Sequence, residues 1–275
     1  MTASNNSPAL TSLTRAALVV AHPGHELLVH GWLEITRPRV FVFTDGSARS
    51  TQSRLDSTSK ILDQTGARRG SIYGRLSDAS AYSAIINHEF ELFKRLAREL
   101  AEALIEERVS TVAGDAIEGY NPMHDVCRLL INTAVRIASH ATCQPIKNLA
   151  FSLFNKPIAC SQTLCADCVS LQLDEAAFKR KMAAAEGYNE MKDEVYAAID
   201  RASLDAFRTE RLHPVDTDDG KSLWEKEQPF YERYGEKRVA AGHYQQVLRY
   251  KEHLAPLAEA LRQYAESSFQ SGRLR

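Results

Sequence analysis

Two short runs, AALVVA at 16–21 and RVFVFT at 39–44, are apolar on both faces and rich in β-branched or aromatic residues. A strand that faces water on one side alternates apolar with polar. A strand that does not alternate must be covered twice, as in a parallel sheet wrapped by helices. Between the two runs, residues 25–34 carry apolar side chains at helical spacing, so the chain opens as β–α–β.

The alternation continues. TQSRLDSTSKILDQTGA (51–67) predicts a helix stopped by Gly66, and GSIYG a third strand. NHEFELFKRLARELAEALIEERV (87–109) predicts a long amphipathic helix feeding the strand VSTVAGD (109–115). A further helix spans 123–139, LAFSLF (149–154) and CVSLQLD (168–174) are strand-like, and the chain is mainly helical from Asp174. The expected fold class is α/β: a Rossmann-like, doubly wound, mostly parallel sheet with a largely helical C-terminal part. Residues 1–15 read as a flexible tail and 16–275 as a single α/β domain. Its core would lie at 16–150, with completing strands and covering helices at 151–275.

Composition removes several function classes. A chain of 275 residues, 44% hydrophobic and 25% charged, can bury a sizeable core. Its net charge of −1 supplies no global field for nucleic acid or an anionic membrane. The start MTASNNSPALTSLTR lacks the apolar core of a signal peptide, and no 18-residue apolar run exists to form a membrane span. Five cysteines, an odd number, do not make a secreted disulfide framework, so a reduced, cytoplasmic setting is expected. Homo-oligomerisation stays open.

Chemistry concentrates where strands end. His22 and His25 follow the first strand in AHPGHE, and Asp45 follows the second in TDGS. Asp115, Glu118 and His124 follow the fourth in GDAIEGYNPMHDVCR. In open α/β sheets ligands bind at the carboxyl ends of strands, so parallel strands would bring these side chains to one edge. Two histidines three apart with a distant third suit an open zinc site, three protein nitrogens with water completing the tetrahedron. The competing reading has His22 and His25 merely capping the next helix. AHPGHE lacks the G-x-G-x-x-G phosphate turn, which argues against a nicotinamide enzyme.

These segments together resemble the PIG-L/LmbE-like zinc-dependent de-N-acetylases, in which an apolar strand ends in A-H-P-D-D-E. The family's later G-H-P-D-H-type motif is resembled by Gly119-Tyr120-Asn121-Pro122-Met123-His124. SRLDSTSKILDQTGA resembles its R-x-x-E helix, and SDAS at 77–80 its acidic loop. The resemblance covers about residues 16–130, with a looser echo at Phe178-Lys179-Arg180-Lys181. It implies a Zn²⁺-dependent (or other divalent-metal) hydrolase whose partner is a small-molecule substrate, an N-acylated amino sugar or glycoconjugate. By resemblance His22 is the first metal ligand, His124 the last, and the family's middle Asp falls on His25. Arg54 would contact the polar part of the substrate, and Asp78 a sugar hydroxyl; both equally suit a helix surface and a turn.

Two positions depart from the family. Its general-base Asp falls on Gly24, and the histidine that stabilises the oxyanion or protonates the leaving amine falls on Asn121. An asparagine donates hydrogen bonds but does not titrate. A substitute base must come from Asp45, Glu26, Glu118 or Asp115, and Asp45 is favoured because its strand should neighbour the first. Glu26 is expected to hold the histidine loop. His243, in AGHY, is the candidate proton donor to the amine, against a plain surface role. Altered chemistry and loss of catalysis compete, the latter leaving a non-catalytic metal-containing binding protein. A carboxylate restored at position 24 is expected to raise amidase activity. Cys160-x₄-Cys165-x₂-Cys168 is read as apolar strand packing rather than a metal site, and Trp32 and Trp224 as core or interface residues.

Overall fold

The computed structural model describes residues 15–47, 52–153, 167–202, 204–215 and 227–271. Strand β1 (Ala16–Val20) is buried along its whole length, and β2 (Arg39–Thr44) at all but its first residue. The two pair in parallel, with Val19 opposite Phe41. β3 (Arg68–Leu76) flanks β2, while β4 (Thr111–Asp115) and β5 (Lys147–Phe151) extend the other side, all in parallel. β7 (Thr209–Pro214) then pairs antiparallel with β5, and β6 (Val169–Gln172) antiparallel with β7. The order β3-β2-β1-β4-β5-β7-β6 is the expected doubly wound, mostly parallel sheet. From β1 the chain winds outward to β2 and β3, whereas β4 lies on β1's opposite side. That reversal opens a crevice at the carboxyl ends of β1 and β4.

Alternate residues of each buried strand feed opposite faces. Ala17, Val19, Phe41 and Phe43 pack with α4 (Phe90–Glu106), α5 (Pro122–Thr142) and α9 (Ala255–Ser271). Leu18, Val20, Val40 and Val42 pack instead with α1 (His30–Thr36) and α2 (Leu55–Thr65), through Trp32, Leu33, Ile61 and Leu62. Tyr188 joins this second core from the turn between α6 (Glu175–Glu186) and α7 (Lys192–Ala202). Trp32 is fully buried, as a core residue should be.

The helices differ from the sequence reading in instructive ways. Residues 25–29 form a 3₁₀ turn before α1, because the histidine loop enters the helix under a tight backbone constraint. The helix expected over 87–109 starts at Phe90; a separate α3 (Asp78–Ile86) precedes it, and His88 at φ 56 breaks the path. The stretch after Asp174 is interrupted at Gly187–Met191. α8 (Phe230–Ala240) belongs to the largely helical C-terminal part expected from the sequence. No described helix is long and apolar enough to cross a membrane. The expected N-terminal tail, apart from Arg15, lies outside the described residues, as do Cys160, Cys165 and Trp224.

Candidate metal centre

β1 and β4 are fastened at their ends by a hydrogen bond from Ala21 N to Asp115 Oδ2 (2.8 Å). The chain then turns sharply through His22-Pro23-Gly24-His25. Gly24 takes φ 105, a conformation that side-chain-bearing residues avoid. Its N–H donates to Glu26 Oε2 (2.7 Å), and its carbonyl receives Leu27 N (3.2 Å). Glu26 is fully buried and holds the histidine loop, as expected. Across the crevice, Asn121 Oδ1 caps α5 by accepting from Met123 N (2.8 Å), which sets His124 in the first helical turn. Asp125 Oδ1 accepts from Glu118 N and Gly119 N (3.1 and 3.2 Å) and draws the preceding loop onto the helix start.

Three imidazoles meet there. Ring centroids are 5.4 Å apart for His22–His25, 5.1 Å for His22–His124 and 4.6 Å for His25–His124. Three rings sharing one tetrahedral ion at zinc–nitrogen distances of about 2.0–2.1 Å would place their centroids roughly 5 Å apart. His22 Nδ1 lies 2.7 Å from Thr44 Oγ1 and 3.0 Å from Asp78 Oδ1, while its Nε2 is buried without a hydrogen-bond partner. His25 Nδ1 lies 2.9 and 3.0 Å from the two oxygens of Asp115. His124 Nδ1 is buried and also lacks a partner. A carboxylate on one ring nitrogen fixes the tautomer that points a lone pair from the other, the arrangement typical of metal-bound histidine.

Electrostatics follow the same plan. Burial, with His25 and His22 adding to it, holds His124 well below the ordinary imidazole range, so it stays a neutral donor. Burial alone would depress His25, yet the Asp115 carboxylate outweighs it and leaves its pKa raised. Behind Asp115 sits the fully buried Arg128, which donates to Asp115 O (2.6 Å), Asn148 Oδ1 (2.8 Å) and Leu149 O (3.0 Å). Burial lowers its pKa to about 10, so at neutral pH it remains the cation that offsets Asp115.

The donor set and its supporting carboxylates suit a borderline-soft divalent ion. The side chains do not yet form a metal-holding group: no set of three or more His, Cys, Asp or Glu among the described residues does. The rings stand edge to face at 66–89°, angles open to three ligands of one tetrahedral ion. Imidazole torsions are soft, whereas the backbone positions of the three histidines are fixed by the strand ends and the start of α5.

The other expected site residues separate. Asp45 Oδ1 accepts from Ser47 N (2.9 Å), and its carbonyl accepts from Arg54 N (2.8 Å), so both residues build the turn after β2. Asp78 lies behind His22 rather than out in the crevice. Asn121 Oδ1 also accepts from Tyr82 OH (3.2 Å), which leaves its Nδ2 as the donor face. His243 is exposed, and among the described residues no hydrogen bond, ion pair or ring contact joins it to the imidazoles. Glu118 is half-buried beside His25 and accepts from Ser152 Oγ and from Leu153 N (2.9 Å).

Some contributors escaped the sequence reading. Arg128 stands four residues after His124, a spacing that signals one helix face. Thr44 immediately precedes Asp45. Met191 had no signal: a Cβ on Gly24 would overlap its Sδ and stand 2.9 Å from its Cε, the movable end of a flexible side chain, while the backbone at φ 105 strains any other residue there. Gly24→Asp is therefore not the simple restoration expected from the sequence. The Lys181–Glu210 pair was also hidden. Glu210 accepts from Gly31 N and Trp32 N (both 2.9 Å), and Lys181 Nζ reaches Glu210 Oε1 and Leu28 O (both 2.9 Å). Cys127 is buried against Val19 O, and Cys168 Sγ stands 3.6 Å from His213 Nδ1.

No family model and no curated protein matches the sequence. Among solved structures, the chain is similar to the zinc-inhibited form of teicoplanin deacetylase Orf2, with TM-score 0.47 and 13% identity over 74% of this chain and 99% of that one. It is similar to the A40926 pseudoaglycone deacetylase Dbv21 at TM-score 0.48 and 19% identity, over 74% of this chain and 98% of that one. It is also similar to a deacetylase–teicoplanin complex at TM-score 0.49 and 13% identity, over 73% and 97% of the two chains.

Proposed function

We propose that this chain is a metal-dependent hydrolase that removes the acyl group from an N-acylated amino sugar or a related polar amide. The observation that carries this reading is the pairing of His22 with Asp78 and of His25 with Asp115, both rings facing His124 at the sheet's switch point. His22, His25 and His124 would hold the ion, zinc by the character of the donors. When bound, such an ion polarises a carbonyl and makes water acidic enough to attack near neutral pH.

The remaining work falls to this chain's own side chains. Asp78 and Thr44 orient His22, and Asp115 orients His25, each from behind the ring. Asn121 Nδ2 donates to the oxygen that gathers charge when water adds to the amide carbonyl. Of the four carboxylates, Glu26 holds Gly24 N, Asp115 is engaged by His25 and Ala21 N, and Asp45 closes its own turn. Glu118 is engaged too, by Ser152 Oγ and Leu153 N, but each of its oxygens keeps a lone pair, and its position beside His25 makes it our candidate to take the proton from the attacking water. The same carboxyl returns that proton to the departing amine, which relieves the exposed His243 of the role. Acetate release from N-acetyl amino sugars, measured with metal content on the same preparation, tests this reading.

A second reading has one observation in its favour. Met191 covers Gly24 at the family's base position, as expected of a chain that kept the metal centre for binding alone. Stoichiometric metal with no acetate release from any substrate of the class would select it.

A further inference from the structure

The chain's net charge of −1 conceals one strongly asymmetric edge. Six arginines stand where the parallel strands begin. Arg15 precedes β1, Arg37 and Arg39 flank the start of β2, Arg68 and Arg69 open β3, and Arg108 lies between α4 and β4. Strand pairing brings these starts level: Arg39 lies opposite Ala17 and Arg68, and Thr111 opposite Ala16 and Lys147, the first residue of β5. At about 4.8 Å between neighbouring strands, the five starts form a line roughly 19 Å long. All the arginines but Arg39 are exposed. Among the described residues, only Arg39 of this row has an ion-pair partner, Glu107 at 2.6 Å. Asp63, Glu106 and Glu107 stand on the adjoining helix ends, and Glu34 is held by Arg180, so positive charge stays in excess. The residues before Arg15 include no Asp or Glu that could offset it.

Cations near the carboxyl end of a helix answer its dipole. That accounts for Arg37 and Arg108, which follow α1 and α4, but not for the strand arginines. Even those two stand at φ 45 and 51, left-handed positions where glycine or asparagine is the usual residue. Arginine's planar fork suits phosphate, and a single row of such forks suits a polymer of phosphates better than a plane of headgroups. Stable attachment to a bilayer takes a second, apolar signal beside the basic one, and this edge offers only Ile35. Single strands are held by stacking on aromatic rings, and no exposed aromatic ring among the described residues belongs to these strand starts. We infer that this edge is a sequence-independent binding surface for the sugar–phosphate backbone of duplex nucleic acid. It lies at the opposite ends of the strands from the three histidines, so a duplex held there leaves the crevice open. The inference does not rest on the hydrolase reading.

The test is fluorescence anisotropy of the full chain with a labelled DNA duplex of about two helical turns, in about 50 and about 200 mM salt. The proteins are wild type, Arg68→Glu/Arg108→Glu and a control of equal charge change, Lys192→Glu/Lys237→Glu, both lysines being exposed on α7 and α8. With about four phosphate contacts, wild-type affinity should fall about 100-fold between the two salts. Removing two contacts should weaken low-salt binding by roughly tenfold each and lower the salt slope by about two. The control should bind like wild type. Absence of saturable duplex binding in low salt would overturn the surface, as would equal losses in both variants. Tighter capture by phosphatidylserine vesicles or by poly-glutamate than by the duplex would overturn it too, assigning the arginines to a membrane or to an acidic protein. If the glutamate pair melts early, Arg68→Gln/Arg108→Gln should show the same loss in smaller degree, and duplex binding unchanged in that pair would equally overturn the surface. Metal content and acetate release, read on the same preparations, bear on the hydrolase reading alone.

Discussion

Met191 lies over Gly24, its thioether in the space where a side chain at position 24 would begin. Gly24→Asp should consequently lower the melting temperature and add no amidase activity. The left-handed backbone alone costs a non-glycine residue roughly 1–3 kcal/mol. Adding Met191→Ala should recover little of the lost stability, because the thioether can move aside in either case while the backbone strain remains. Thermal melts of the two variants beside acetate-release assays decide the matter; a single variant that is both stable and more active would refute the steric account.

On the proposed reading, Asp78 and Asp115 would act on an ion only through His22 and His25. Asp78→Asn and Asp115→Asn should each weaken zinc affinity by roughly 10–100-fold while the three imidazoles remain. Competition with a chromophoric chelator reads this directly. His22→Ala, by contrast, should abolish stoichiometric binding. An asparagine variant with undiminished affinity would mean that the ring does not depend on its carboxylate.

Glu118 and Asp45 offer different answers to one question, and substitution separates them. Glu118→Gln should cut turnover by roughly 10²-fold or more with metal content unchanged. Asp45→Asn should leave turnover within a few-fold, since the side-chain oxygen of asparagine can still accept from Ser47 N. The opposite ranking would return the base to Asp45.

Asp125 predicts a pH dependence for the metal-free protein. Burial raises its pKa to about 7 from an ordinary 3.8, so the folded state holds a proton that the unfolded chain has released between those values. Its contribution to stability is thus present below about pH 4 and is lost as pH rises toward 7, on the order of 1–4 kcal/mol in all. Urea midpoints of wild type should fall across this window relative to Asp125→Asn. Parallel curves would show that Asp125 titrates alike in the folded and unfolded states.

The parts of this molecule legible in its sequence are those whose cause is local. β1, β2 and β4 announce themselves because strands covered on both faces have nowhere to place a polar residue, and His22 and His25 stand out because they interrupt such a run. β7 does not, since Glu210 points into the core where an apolar residue would be expected. A carboxylate after a strand carries the same local signal whether it titrates, binds metal or steers a histidine. Only the fold shows Asp115 paired with His25 across 90 positions and Asp78 with His22 across 56. The same holds for Met191, whose role depends on a turn packed against a glycine far away in the chain.

The buried bridge from Lys181 and Glu210 to the start of α1 also ties the histidine loop to the far end of the chain. Glu210 meets Gly31 across 179 positions, so the helix that fixes the histidine loop keeps its first N–H groups unanswered until β7 has been made and docked. Contacts of such long range form slowly and late, and during synthesis they wait for the end of the chain to emerge. The first 150 residues therefore supply every imidazole yet cannot mature the centre. If the three imidazoles hold an ion as proposed, a chain cut before β7 is expected to bind it less tightly than the full chain.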